Sequence, residues 1–142
     1  MFYNYILVAN IIITSILTGL ILVTQIVSYP LFMKINSDIF YEYHKYYRKQ
    51  ISIIVLPVML SELILTIVLL YLFPNLSHTF ILLFTVIIWL STILIQVPIH
   101  NSLITKYNTE KIQHLIISNW IRTLFWLIKL TTLTTLLFTN KF

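Results

Sequence analysis

Hydrophobic residues fall into four long runs along the chain, separated by shorter polar segments. An α-helix needs about 20 apolar residues to cross the roughly 30 Å hydrocarbon core of a bilayer, and each run reaches that length. The predicted spans are residues 6–27, 51–73, 79–99 and 115–138. The pattern therefore predicts an all-α fold, an integral membrane four-helix bundle, built as a single domain from residues 1–142.

A segment of different character joins the first two spans. Residues 37–50 are charged and aromatic, and residues at helical spacing recur within them, namely Phe40, Tyr43, His44 and Tyr47. Because tyrosines favour the headgroup region, we expect a short interfacial helix here that leads directly into span two. Pro30 lies before this segment and is expected to end span one.

The composition agrees with lipid as the solvent of this chain. Hydrophobic residues make up 59% of it and charged residues 9%, whereas about a quarter of a soluble protein is charged. The lack of cysteine excludes disulfides, thiolate nucleophiles, iron–sulfur clusters and covalent haem attachment, and a single glycine argues against glycine-rich phosphate loops. The net charge of +5 forms no separate basic face, so the expected partner is the bilayer and not a nucleic acid.

The positive charges predict an orientation. Six of them lie in the two long connections, namely Lys34, Lys45, Arg48, Lys49, Lys106 and Lys111. On the opposite side only Lys141 is found. The positive-inside rule then places both long connections in the cytoplasm and both termini outside, as expected for a protein of a bacterial inner membrane.

Polar side chains within the spans gather in the half nearest those connections. They are Gln25, Tyr29, Glu62, Gln96, His100, Asn119 and Arg122. Unpaired polar groups are costly in lipid, by about 2.5–3.5 kcal/mol for a central charge on insertion scales. We therefore predict a polar pocket that opens towards the cytoplasm, with the interfacial helix above it contributing His44 and Arg48, while the outer half offers mainly Thr, Ser and aliphatic residues.

Glu62 is the only acid within a span, so it must be neutral, paired or metal-bound. One alternative is a structural ion pair with Arg122 or Lys129. The other is a functional carboxylate that transfers a proton or ligates a metal. The sequence leaves both open.

His44 and His100 give the predicted pocket two imidazoles. They can ligate haem iron axially, or join Glu62 around a non-haem metal, so haem or a non-haem metal is the candidate cofactor. The alternative is that His100 hydrogen-bonds Gln25 or Asn119 and that His44 is an ordinary interfacial residue. No His-Glu-x-x-His spacing is present, and His78, at the outer turn, is expected to be solvated.

Two short segments resemble a known family. They are Gln96-Val97-Pro98-Ile99-His100-Asn101-Ser102-Leu103 and Asn119-Trp120-Ile121-Arg122-Thr123. They are similar to the motifs of the anthrone-oxygenase-like family of small four-helix membrane proteins, which are of Pro-Val-Asn type after the third span and of His-x-x-Arg type in the fourth.

The resemblance carries Pro98, Asn101 and Arg122 over as the matching positions. It implies the cofactor-poor oxidation of an aromatic or polyketide-like substrate. Asn119 stands where that family has histidine, and His100 adds an imidazole.

The leading hypothesis is a membrane oxidoreductase whose pocket holds a metal, haem or a small aromatic or lipid-like ligand. Its predicted catalytic residues are Glu62, His100 and Arg122. Its predicted binding residues are Gln25, Tyr29, His44, Gln96, Asn101 and Asn119. The alternative is a non-catalytic small subunit or assembly factor of a larger membrane complex, or a homo-oligomer; a carrier or channel has less support, because no inverted repeat is visible.

Overall fold

The computed structural model describes residues 2–139, which form four long helices joined by short connections. We label them α1 (Phe2–Phe32), α2 (Ser37–Leu72), α3 (Leu76–Thr105) and α4 (Thr109–Thr139). Each is long and apolar enough to cross a membrane. The predicted all-α class is thereby confirmed for this part of the chain. Lys141, which the orientation prediction uses, lies outside the described residues.

The predicted interfacial helix is not a separate element. Residues 37–50 form the first part of α2, which is 36 residues long and therefore about 54 Å in length, well beyond the thickness of a hydrocarbon core. The side chain of Asn36 begins the helix by accepting a hydrogen bond from the backbone N–H of Asp38 at 3.1 Å. Pro57 lies inside the helix without ending it.

Two helices contain a π-turn, a five-residue segment in which a backbone N–H bonds to the fifth carbonyl before it. The turn in α1 is Thr24–Ser28 and the turn in α3 is Thr92–Gln96. The N–H of Tyr29 donates to the carbonyl of Thr24. The expectation that Pro30 ends span one is therefore wrong: the π-turn absorbs the proline, and the helix continues to Phe32.

The helices pack as a square. Each of α1 and α3 packs along both α2 and α4, so α1 faces α3 across one diagonal and α2 faces α4 across the other. Three apolar layers fill the interior: Phe32 and Phe40 mark the layer near the long connections, Trp126 the middle layer, and Leu69 and Leu133 the layer near the α2–α3 turn. Polar side chains span both diagonals between these layers.

The distribution of polarity differs from that of a soluble bundle. Large apolar side chains such as Ile12, Ile53, Leu94 and Ile128 are exposed along the outside of the helices. Amides, hydroxyls and charged groups are buried in the interior beside the apolar core. This arrangement fits a surface covered by lipid and a core held by hydrogen bonds.

Candidate functional site

A chain of three hydrogen-bonded side chains lies near the end of the bundle that carries the long connections. The Nε2 atom of His44 is 2.9 Å from Nδ1 of His100, and Nε2 of His100 is 3.0 Å from the hydroxyl oxygen of Tyr29. His44 and Tyr29 are buried, and the His44 ring stacks on Phe40 at 5.2 Å between ring centroids. The structure thus joins two predicted binding residues, His44 of α2 and Tyr29 of α1, through the predicted catalytic residue His100 of α3.

The predicted metal ligands His44, Glu62 and His100 do not come together. The two imidazoles bond directly to each other, while Glu62 lies in the middle of the bundle with other partners. Across residues 2–139, no group of three or more His, Cys, Asp or Glu side chains has an arrangement that could hold a metal ion. The reason is depth: residues 37–50 continue α2 instead of lying over the pocket, so His44 and Glu62 are five turns, or about 27 Å, apart along one helix.

Glu62 forms an ion pair with Lys129, with 2.9 Å between Oε1 and Nζ, and both side chains are fully buried. Its carboxylate also accepts hydrogen bonds from Thr14 at 3.2 Å and from the indole N–H of Trp126 at 3.1 Å. Lys129 donates further bonds, at 3.0 Å to Thr66 and 2.6 Å to Thr85. Of the alternatives that the sequence left open for Glu62, the geometry is that of an ion pair with Lys129.

A cavity of about 300 Å³ lies beside the His44–His100–Tyr29 chain. All four helices contribute to its lining. Its polar lining consists mainly of Tyr29, Tyr47, Arg48, Gln96, His100, Asn101 and Arg122. Its apolar lining includes Leu17, Ile21, Val55, Leu56, Met59 and Trp126. The cavity therefore has a polar end towards the long connections and an apolar end towards the middle of the bundle.

The cavity opens between α2 and α3. Its lining from α1 and α4 is largely buried, with Leu17 and Trp126 each 1% exposed. The exposed members of the lining belong to the other two helices, with Leu56 of α2 at 50% and Val97 of α3 at 46%. At this opening, Nη1 of Arg48 donates a hydrogen bond of 2.7 Å to the side-chain oxygen of Asn101.

Arg122 lies at the buried wall of the cavity and is only 7% exposed. Its guanidinium carbon is 5.3 Å from the centroid of the Trp126 ring, and its Nε atom has no hydrogen-bond partner. The hydroxyls of Tyr29 and Tyr47 lie close enough to interact with its charge. Within residues 2–139 the one ion pair is Glu62–Lys129, so the alternative pairing of Glu62 with Arg122 does not form.

The predicted amides mainly hold the helices together. The side-chain oxygen of Gln25 accepts a hydrogen bond of 2.8 Å from Asn119, and its amide N–H donates to the backbone carbonyl of Ile116 at 3.0 Å. Gln96 accepts from Ser91 at 3.1 Å and donates to Ser118 at 3.3 Å. These bonds connect the π-turn of α1 to α4, and they connect the π-turn of α3 both to α4 and to its own helix.

The structure divides the predicted site residues into two groups. Those that line the cavity are Tyr29, Gln96, His100, Asn101 and Arg122. Those that lie behind its wall are Gln25, His44, Glu62 and Asn119. Tyr47 and Trp126 line the cavity but were missed; the helical spacing of Tyr47 from His44 was the available signal for the first, and Trp126 follows Arg122 by one turn.

Polar groups also occupy the opposite half of the bundle, where mainly Thr, Ser and aliphatic residues were expected. Asn10 donates to the backbone carbonyl of Leu65 at 3.2 Å and accepts from Thr66 at 3.2 Å. His78 is fully buried and bonds to the hydroxyl of Tyr3 at 3.3 Å. The expectation that His78 is solvated is therefore wrong, because its side chain points into the bundle, where it bonds to Tyr3 and to the backbone carbonyl of Phe73.

Comparisons of the chain with family models, with curated proteins and with solved structures found no match. The resemblance to the anthrone-oxygenase-like family accordingly stays a prediction. A function is therefore inferred from the geometry of the cavity.

Proposed function

We propose that this chain is an integral membrane protein that binds an anionic amphiphile from the bilayer, with Arg122 holding the anionic head. One observation carries the proposal: a buried guanidinium lines a cavity and has no acidic partner among the described residues. A charge in such surroundings is costly unless it is paired. A carboxylate or phosphate in the cavity would supply the missing partner, because both accept the two parallel hydrogen bonds that a guanidinium offers.

The charge of the lining supports an anion over a cation. Arg122 and Arg48 both contribute to the cavity, and its lining contains no Asp or Glu. Glu62 is kept apart from it by Trp126, whose indole lines the cavity and whose N–H donates to the carboxylate. A cation would therefore meet only positive charge here.

The shape of the cavity supports an amphiphile over a small ion. An anionic head at Arg122 would extend its apolar part towards Val55 and Met59. The opening between α2 and α3 is bordered by Leu56 and Val97, which are exposed apolar residues. A lipid-like molecule could therefore enter sideways from the bilayer without crossing water.

The proposal includes an orientation. We place both long connections in the cytoplasm because six basic residues lie there. Residues 37–50 would then project from the membrane as the first turns of α2, with their tyrosines at the level of the headgroups. The cavity would face the inner leaflet, where anionic lipids are concentrated.

Binding is common to the functions that the sequence predicts. An oxidoreductase would hold its aromatic or polyketide-like substrate in this cavity, and a non-catalytic subunit would hold a lipid there. We therefore propose the binding step itself as the function, with Arg122 as the binding residue.

Quenching of tryptophan fluorescence tests the proposal. A Trp89→Phe/Trp120→Phe background leaves Trp126 in the cavity wall as the sole reporter. Brominated oleic acid, added to protein in neutral-lipid nanodiscs, should quench it saturably, whereas the brominated methyl ester should quench only weakly. Arg122→Gln should weaken binding of the acid by at least about tenfold, the equivalent of one charge-assisted hydrogen bond.

The matched control is Lys111→Gln, which removes an exposed charge from the same helix. It should bind the acid like the parent protein. Arg122→Lys keeps the charge without the planar fork and should fall between the two. Equal affinity of the parent for acid and ester, or full affinity in a folded Arg122→Gln protein, would overturn the proposal.

A further inference from the structure

The hydrogen-bond chain beside the cavity contains one orphaned atom. Nδ1 of His44 is buried and has no hydrogen-bond partner. The ring lies between aromatic neighbours, with its centroid 5.2 Å from that of Phe40 and 5.3 Å from that of Phe32. None of the described residues therefore gives this nitrogen a hydrogen-bond partner.

The orphaned atom fixes the hydrogen on the first imidazole. A neutral imidazole carries a hydrogen on one nitrogen and a lone pair on the other. A buried N–H without an acceptor is rare and costs the full desolvation of the donor, whereas an unused lone pair is the cheaper state. The hydrogen of His44 thus belongs on Nε2, where it donates across 2.9 Å to Nδ1 of His100.

The hydrogen on His44 also decides where the hydrogens of His100 and Tyr29 lie. Because Nδ1 of His100 accepts, its hydrogen is on Nε2 and donates across 3.0 Å to the hydroxyl oxygen of Tyr29. Arg122 and Tyr47 also act on this hydroxyl, but Arg122 can only donate and the Tyr47 hydroxyl forms no hydrogen bond within the described part of the chain. The hydroxyl hydrogen of Tyr29 is left without a protein acceptor in residues 2–139, and Tyr29 lines the cavity.

We propose that Tyr29 and Arg122 form a two-donor oxyanion site, in which His44 and His100 act as positioning residues that direct the Tyr29 hydrogen into the cavity. This inference rests on the proposed function and adds which chemical group of the ligand the site selects. The site takes an ionised carboxylate or phosphate, whose oxygens accept both donors. If the three hydrogen bonds ran in the opposite direction, Tyr29 would donate to His100, and His44 would carry a buried N–H without an acceptor.

Nitrogen NMR of the imidazoles tests the direction of the chain. Histidine labelled with ¹⁵N should show two neutral rings with hydrogen on Nε2 and an unprotonated Nδ1, and these two signals should change in a Tyr29→Phe variant. A hydrogen on Nδ1 of either ring would overturn the inference. This measurement needs no ligand and does not depend on whether the cavity binds one.

Binding measurements test the donor role of Tyr29. With the Trp126 reporter, Tyr29→Phe should weaken binding of brominated oleate about tenfold, the cost of leaving one side of a charged hydrogen bond unmade, and should leave binding of the methyl ester unchanged. Tyr43→Phe, which changes an exposed tyrosine outside the lining, is the control. His44→Phe should weaken oleate binding severalfold although His44 does not line the cavity. Without the donor at His44, His100 can carry its hydrogen on Nδ1, and its Nε2 can then accept the hydrogen of Tyr29.

Brominated phosphatidic acid separates the two sources of the oxyanion. Tighter binding of oleate assigns a carboxylate, and tighter binding of phosphatidic acid assigns a phosphate headgroup. Full oleate affinity in Tyr29→Phe, combined with a loss in Arg122→Gln, would overturn the two-donor site and leave the proposed function standing. Unchanged affinity in Arg122→Gln would instead remove the proposed function.

Discussion

At the scale of single residues, the buried ion pair is the most heavily supported interaction in the bundle. Glu62 receives bonds from Lys129, Thr14 and Trp126, and Lys129 gives further bonds to Thr66 and Thr85. Each charge is therefore compensated by both an opposite charge and hydroxyl or indole groups. Removing one member would leave the other buried with no counter-charge.

We expect Glu62→Leu and Lys129→Met each to lower the free energy of unfolding by about 3–5 kcal/mol, the usual cost of breaking a buried pair from one side. The double variant should recover most of this loss, since no unpaired charge remains. Reversible unfolding in mixed micelles, followed by circular dichroism, measures the three values. Glu42→Gln, an exposed acid on the same helix, should change stability by less than about 0.5 kcal/mol; a double variant no better than the singles would contradict the argument.

At this scale the sequence predicts which side chains share a helix face, but not how deep each lies relative to the neighbouring helices. His44 and Glu62 share a face of α2 but are five turns, or about 27 Å, apart in depth, because residues 37–50 continue the helix instead of lying over the pocket. Arg122 and Lys129 share a face of α4 and differ by about two turns in depth, so the choice of Lys129 over Arg122 as the partner of Glu62 depended on the relative depth of the two helices. A period of 3.6 residues fixes which side chains share a face, but the facing partner depends on packing between helices.

At the scale of helices, the four spans were predictable and the π-turns were not. Runs of about 20 apolar residues identify a span by length alone. The π-turns Thr24–Ser28 and Thr92–Gln96 contain no residue type that marks them. The one available signal was a proline soon after each, Pro30 and Pro98, and a proline alone is equally compatible with a helix end. These turns rotate Tyr29 and His100 into contact, so the site depended on a feature that the pattern does not encode.

A π-turn holds one residue more than an α-helical turn, which leads to a prediction about deletions. Deleting Leu94, a 67% exposed residue within the turn of α3, should convert it into α-helix and keep Val97–Thr105 in register with the bundle. Deleting Leu83, an exposed residue in the regular part of α3, should rotate one segment by about 100° and misplace its buried face. We expect the first variant to elute as a folded, helical protein from gel filtration in detergent and the second to aggregate. Equal aggregation of both would show that the π-turn does not absorb the missing residue.

At the scale of the whole molecule, one half of the bundle is tightly packed and the other half contains a cavity. Near the α2–α3 turn, Leu7, Leu69, Ile81 and Leu133 pack without exposure. Towards the long connections the helices separate around a cavity with two arginines in its lining. Under the proposed function, this difference between the two halves makes the orientation of the chain important, since the orientation would decide which leaflet the cavity can sample.

The orientation can be measured directly because the chain contains no cysteine, so that any introduced thiol is the only one. Lys34→Cys and Lys106→Cys place it in the two long connections, and Leu76→Cys places it in the opposite turn, where the side chain is 72% exposed. In intact cells, a membrane-impermeant maleimide should label only the Leu76→Cys protein, and all three should react after the cells are opened. A thiol inside a helix, as in Ile12→Cys, faces lipid and should resist the reagent in both conditions. Labelling of the Lys34 and Lys106 positions from outside would place the cavity in the outer leaflet, where its arginines would meet a less anionic lipid population.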